Sequence, residues 1–265
     1  MTFEAEPDLR MKPVERENLQ QQSYLALREA LMKGRFMPGD TVSLRNLASE
    51  LGTSPMPIRE AVQHLIAEGA LVLRPNRTFA VADMTQDILG EIQSLRVLLE
   101  GTVTEAAVPF LGMGELKHLH ALQAQMRAAL ANGDTKGYLT TNQNFHFSIY
   151  ARSNQHLTVQ IIENLWLRIG PSFNLLVRGQ RASQRDEASI ASLTHYHEAT
   201  LTAIAAGRPA DARRAIENDI REGMQFISES LPELTGSAAR GDGKPAGAKA
   251  GQRGARPASM GQDSR

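Results

Sequence analysis

Four side chains with metal-ligating chemistry are spaced so that a helical fold could gather them. Asn142 and His146 stand four residues apart, and on a helix that spacing puts both on one face. His197 falls midway along a later helical stretch, and Asp219 lies on the last one. An amide, two imidazoles and a carboxylate converging from three helices make an oxygen and nitrogen set suited to a divalent ion such as Zn, Ni or Mn. The competing reading of such a histidine is a hydrogen-bonded core residue or a surface residue, and spacing alone does not choose between them. His118, His120, His156 and His195 read as non-ligands, with His195 expected to point away from His197. The chain has no cysteine, which excludes thiolate metal sites and disulfides.

A second group has the chemistry of nucleic-acid contact. In residues 55–67, Ile58, Val62, Leu65 and Ile66 form one apolar face, which turns Met56, Arg59, Glu60 and Gln63 outward. Ser54 followed by Pro55 is a helix-start signal: the serine side chain is expected to accept a backbone N–H, and Pro55 is pre-set for the first helical position. Arg59 then lies in the N-terminal half of an exposed helix, where its fork could bind guanine O6 and N7 for about 1–3 kcal/mol of discrimination. Arg45, at the start of the preceding short helix, can reach a phosphate or a base edge. The alternative for any one of these arginines is a solvated surface charge.

The elements that must position these groups follow from periodicity and punctuation. Helical spacing runs from Asn18 to Lys33 and stops at Gly34 and Pro38-Gly39. Ser43 caps a short helix with Leu44, Leu47, Ala48 and Leu51 on its apolar stripe, and Gly52 turns the chain into the next helix. Leu71–Leu73 and Phe79–Val81 read as two strands around a tip at Asn76, Arg77 and Thr78. Helix, turn, helix and hairpin in this order outline a winged helix-turn-helix. From Gln86 onward the pattern is helical almost throughout, with breaks that give six helices near 86–109, 113–132, 135–152, 155–180, 185–206 and 209–230. The expected fold is therefore mainly α, a winged helix-turn-helix with a small β wing over 18–82 and an all-α bundle over 86–234. Residues 1–17 are expected to be flexible, and 235–265 to be a disordered basic tail.

Bulk properties exclude less. The formal net charge is zero. Residues 28–82 carry seven Lys/Arg against five Asp/Glu, a faint footprint for a nucleic-acid partner, so motif and geometry must carry that reading. No run approaches the ~18 apolar residues of a membrane span, and the polar start has no signal-peptide core; no membrane partner and a cytoplasmic location are expected.

The quoted motifs resemble a known family. Leu25, Leu31, Gly34, Pro38-Gly39, Val42-Ser43, Leu47-Ala48, Leu51-Gly52, Ser54 and Pro57-Ile58-Arg59-Glu60-Ala61 are similar to the N-terminal domain of GntR-type bacterial transcriptional regulators. The resemblance covers about residues 18–82. It implies a homodimer on a palindromic DNA operator, with Arg45 and Arg59 at contacting positions and the wing tip in the minor groove. Two departures are visible. Pro55 stands where the family usually has Arg, and Thr78 where it usually has Gly, which makes a left-handed backbone less comfortable at Thr78.

Residues 86–230 resemble the ligand-binding domain of the FadR subfamily, the FCD type. Leu139–Asn154, with Phe145-His146 and Ile149, looks like its third helix. Tyr196-His197, Ile204, Gly207, Ala212, Ala215 and Ile220 look like its last two. The resemblance implies a divalent metal at the floor of an effector pocket, with His146 and His197 matching directly, Asn142 in place of an Asp and Asp219 in place of a His. It also implies that Arg96 faces the effector; the alternative is an ion pair with Glu100 along the helix. A guanidinium above a metal suits a carboxylate. The resulting expectation is a transcriptional repressor, not an enzyme, that binds a small acidic metabolite with a divalent metal, foremost Zn. The alternative is a metal-dependent enzyme using His146, His197 and Asp219, against which no further Glu, His or Ser stands at motif spacing as base or nucleophile. Trp166 and Phe173 read as core.

Overall fold

The computed structural model describes residues 19–175 and 187–238. The expected flexible N-terminus and most of the expected tail lie outside them. The first helix, α1 (Leu19–Met32), buries Leu27 and Leu31. It ends where Gly34 takes a left-handed conformation at φ 65°, so that the N–H of Arg35 reaches back to the carbonyl of Ala30. A short strand β1 (Thr41–Val42) precedes α2 (Leu44–Glu50), which Ser43 caps through the N–H of Asn46. Then come α3 (Pro55–Ala67), β2 (Leu71–Leu73) and β3 (Phe79–Val81). The two expected wing strands are present, and β1 adds a third to an antiparallel sheet ordered β1-β3-β2. Leu51, placed on the apolar stripe of α2 by spacing, is exposed, because α2 already ends at Glu50.

Six helices follow among the described residues. These are α4 (Gln86–Ala107), α5 (Met113–Asn132), α6 (Thr135–Tyr150), α7 (His156–Ile169), α8 (Glu187–Ala205) and α9 (Pro209–Ala238). Gly133 ends α5 in the left-handed region, and the next residue, Asp134, caps α6 through the N–H of Gly137. α5 packs on α6 and α8, while α4 packs on α6 and α7. Phe145, Ile149, Tyr150, Ile162 and Trp166 fill the centre and are all essentially inaccessible.

Two bounds differ from the sequence reading. The helix expected over 155–180 stops at Ile169 and continues as a 3-10 turn, Gly170–Phe173. Pro171 has no N–H for the α-helical ladder, and its ring clashes with the carbonyl four residues back. The last helix runs to Ala238, beyond the boundary drawn at 234. The winged part and the helical part touch within one compact unit that reaches Pro232, with α1 packed on α7 and on the 3-10 turn.

Candidate functional site

On the winged part, the groove-facing candidates are distinguished by what they lack. Arg45, Ser54, Met56, Arg59, Asn76 and Arg77 are all exposed, Met56 by 63%. Among the described residues Arg45, Arg59 and Arg77 make no ion pair. Neighbouring arginines are tied: Arg35 to Glu50 at 2.5 Å and Arg74 to Asp83 at 3.2 Å. Three free guanidiniums on α2, α3 and the wing tip are what phosphate and base contact requires.

Ser54 departs from expectation. It occupies the cap position of α3 with extended backbone, yet its side chain accepts no capping hydrogen bond. A cap serine bonds to the second or third helical N–H; the third helical residue here is Pro57, which has none, and the N–H of Met56 is not taken up either. The Ser54 hydroxyl is thereby left for another partner. The wing tip also differs: the left-handed residue is Arg77, at φ 61°, and not Thr78. The N–H of Arg77 bonds to the carbonyl of Arg74 at 2.9 Å, and Arg74 N–H bonds to the Thr78 carbonyl. The loop is thus a β-turn with Pro75 in its second place, followed by one left-handed residue, a place that favours glycine. Asn76 Oδ1 accepts from the N–H and the hydroxyl of Thr78 and fastens the tip.

In the helical part, α6, α8 and α9 bring three of the four predicted ligands together. His146 and His197 are 1% exposed. Their Nε2 atoms lie 3.4 Å apart, and each faces the carboxylate of Asp219, at 3.3 Å from His146 and 3.6 Å from His197. One ligand atom from each residue falls within 4.8 Å of the others. Asn142, one turn before His146 and buried, borders the same cavity of about 60 Å³, with Arg96, Tyr138, His146, Phe173 and Asp219. That volume has room for an ion with its waters or for a compact ligand of a few heavy atoms. His195, expected to point elsewhere, also borders the cavity; its ring is half exposed and lies 3.7 Å from Glu222.

Behind His146 stands a set of partners that spacing did not reveal. Tyr150 donates its hydroxyl hydrogen to Glu100 at 2.6 Å, so toward His146 Nδ1, at 2.8 Å, its oxygen accepts. In the neutral ring that fixes the proton on Nδ1 and aims the Nε2 lone pair at the cluster. Burial, reinforced by Glu100, raises the Tyr150 phenol well above its ordinary value and keeps it a donor. Glu100, fully buried, also accepts from Trp166 at 3.1 Å and from Arg96 Nε at 2.5 Å. Arg96 makes the ion pair that its spacing from Glu100 allows, and also borders the cavity, its guanidinium 4.7 Å from the Trp166 ring and 5.4 Å from Phe173. Trp166 and Phe173 are buried as read, but both belong to this network.

Burial pushes His197 down to about 4, so the ring is neutral near pH 7. Burial alone would raise Asp219, but His197 and His146 outweigh it and hold it at about 2. Asp219 is therefore a carboxylate set against His146 Nε2 and the neutral His197 ring. Two imidazole nitrogens and a carboxylate turned toward one point make a donor set whose chemistry fits a divalent metal.

Comparison with known proteins converges on one description. A model of the bacterial regulatory proteins of the gntR family matches residues 19–81, and a model of the FCD domain matches 91–222. The chain is similar to the HTH-type transcriptional regulator McbR of Escherichia coli K12, at 32% identity over 171 residues, 64% of this chain and 76% of McbR. It is 28% identical over 179 residues to the gluconate operon transcriptional repressor of Bacillus subtilis 168, covering 67% of this chain and 72% of that repressor. The solved structure of E. coli McbR/YncC superposes with a TM-score of 0.72 at 28% identity, over 83% of this chain and 100% of that one. A putative GntR regulator from Rhodococcus sp. RHA1 shares the fold at TM-score 0.64 and 20% identity, over 80% of this chain and 98% of that one. These matches are to regulators and not to enzymes, which disposes of the enzymatic alternative. The chain belongs to the GntR family of bacterial regulatory proteins, with an FCD second domain, and is a DNA-binding transcriptional regulator.

Proposed function

We propose that this regulator is a metal-dependent sensor of a small carboxylate and acts as a repressor. The observation that carries the reading is the meeting of His146 Nε2, His197 Nε2 and the Asp219 carboxylate beside a small cavity. These three, with Asn142 as the nearest further oxygen donor, would hold the ion: zinc is favoured for two imidazoles and a carboxylate, and Ni or Mn would be accepted. When bound, the ion supplies a positive centre that favours an anionic ligand in the cavity. Arg96 adds a guanidinium held by Glu100 and flanked by Trp166 and Phe173, which orients the ligand without itself moving.

On the output side, Arg59 and Met56 would meet base edges, Arg45 and Ser54 the adjoining phosphates, and Asn76, Arg77 and Thr78 the groove beside the wing. The working form would be a homodimer on a palindromic operator. The adjacent helices α4 and α7 support this, because they expose Leu95, Leu98, Leu157 and Ile161, apolar surface that a second copy would cover. Effector binding would change operator affinity by shifting the placement of the two winged domains. No helix among the described residues is long and apolar enough to cross a membrane, in keeping with action on DNA in the cytoplasm. Repression is supported by relatives that are themselves named repressors.

The test is thermal denaturation of chelator-treated protein with and without added zinc. The wild type is expected to gain stability with rising zinc, and His146→Ala to gain none. Equal responses would remove the metal from the reading. Salt-sensitive binding to DNA from the protein's own gene neighbourhood, lost on Arg59→Ala, tests the output.

A further inference from the structure

The cavity and the DNA-binding part are joined by consecutive residues. Phe173, at the end of the 3-10 turn, borders the cavity and packs at 5.0 Å on Trp166. Asn174, the next residue, borders the groove where α1 meets the helical part. It is 6% exposed, and its amide donates to the backbone carbonyl of Gly34 and, at 3.5 Å, to that of Phe36. Those carbonyls belong to the segment that leads from α1 into the winged sheet. Two consecutive residues thus touch both parts, one side chain each way.

The joint is tight from both sides. A Cβ on Gly170 would fall 2.5 Å from the carbonyl oxygen of Leu31 and 2.7 Å from Cα of Met32, distances that real Cβ atoms do not adopt. A Cβ on Gly34 would meet Leu139 at 2.9 Å, the Asn174 amide at 3.0 Å and the Gly170 carbonyl at 3.2 Å. Leu139 lies on α6 three residues before Asn142 and seven before His146, on the same face. Arg28 of α1 reaches Glu163 of α7 at 3.3 Å. The turn is also imperfectly satisfied: Ser172 Oγ is buried and has no hydrogen-bond partner among the described residues. A buried hydroxyl without a partner is a cost to this arrangement of the turn, which suits a segment with a second arrangement close in energy.

We infer that the turn Gly170–Phe173 with Asn174 is the strut that carries the state of the cavity to the DNA-binding part. Displacement of Phe173 by a ligand moves Asn174, and Asn174 releases or retains the carbonyls of Gly34 and Phe36. Asn174 is a positioning residue: it touches neither DNA nor the cavity's contents. The functional meaning of the strut rests on the cavity being the sensor site, but the mechanical link can be tested without any ligand.

The experiment is amide hydrogen exchange on the full-length chain, read on peptides covering 30–36. Phe173→Ala changes only the cavity side, and Asn174→Asp removes the donor while keeping the size. Leu119→Ala opens a hole in α5, away from the turn, as a control. Both turn variants are expected to speed exchange at 30–36 at least tenfold, and the control is expected to leave those amides at the wild-type rate. If Phe173→Ala does not fold, Phe173→Leu replaces it, with the same direction expected. Wild-type exchange in either turn variant, or an equal increase in the control, overturns the strut. Zinc-dependent stabilisation, measured separately, reports on the sensor reading, so one can fail while the other stands.

Discussion

The two candidate sites of this regulator are built by opposite means. On the winged part the candidate contacts are exposed and unpaired: Arg45, Arg59 and Arg77 have no ion-pair partner among the described residues, and the Ser54 side chain makes no capping bond. In the helical part Arg96, Asn142, His146 and His197 are buried and Asp219 is half-buried, and most are tied. His146 leans on Tyr150, Tyr150 on Glu100, and Glu100 also on Trp166 and Arg96. A DNA surface must leave its donors for phosphates and bases, so it gains nothing from internal partners. A sensor site must hold a few atoms still at low dielectric, so each group needs a partner that keeps it in place. Substitutions in the first region should therefore change affinity and spare stability, and those in the second should do the reverse.

The sharpest attempt to break that contrast is Glu100→Ala. It leaves a buried guanidinium, a phenol and an indole N–H without their acceptor, and is expected to cost about 3–5 kcal/mol of stability in chemical denaturation. A loss below about 1 kcal/mol would show that the cluster is not interlocked. Next in size is the acid response of chelator-treated protein. The folded His197 ring sits at about 4 against an ordinary 6.5, so between those values the unfolded chain binds a proton that the folded chain refuses. Stability is expected to be intact above about pH 6.5 and to fall by on the order of 3 kcal/mol as pH drops toward 4. Asp219, held below its ordinary 3.8, should add a further loss from about 3.8 toward 2. Urea midpoints across this range measure both, and His197→Gln should flatten the first step.

On the other side, Arg59→Ala is expected to weaken specific DNA binding by about 1–3 kcal/mol while leaving stability within about 0.5 kcal/mol. A melting temperature that fell with the affinity would erase the distinction. The smallest effect is at the wing. Arg77→Gly relieves a left-handed residue and should stabilise by about 1 kcal/mol. It should also lower the salt dependence of DNA binding by about one phosphate contact. Affinity measured at several salt concentrations reads the second effect, and a denaturation curve the first.

The winged part was legible because its signals are local. Pro75-Asn76-Arg77 between two apolar triplets marks a hairpin, and Ser43 marks a helix start, within a few residues each. The errors were local too. Ser54-Pro55 has the residue types of a cap, but Pro57 has no proton to give, and the left-handed position at the tip is Arg77, one residue before Thr78. In the bundle, His146, His197 and Asp219 were found from residue type and family likeness. Tyr150 carries no such flag, and spacing offers Glu100 only as a partner for Arg96; packing of α4 on α6 is what sets the carboxylate and the phenol 2.6 Å apart. The end of α7 is hidden in the sequence because apolar spacing continues through Gly170-Pro171.

The paired glycines at the joint bear on how such regulators can be recombined. Gly34 and Gly170 are more than a hundred residues apart in the chain, yet each clears the backbone of the other's segment. A hybrid made by fusing this DNA-reading half to another receiver, cut in the loop between Val81 and Gln86, would inherit one face of a fitted surface and a stranger's version of the other. Grafting of new input specificities onto this reader should succeed only among receivers that bring their own counterpart of Gly170 and Asn174, which makes those two positions a practical filter for choosing donors.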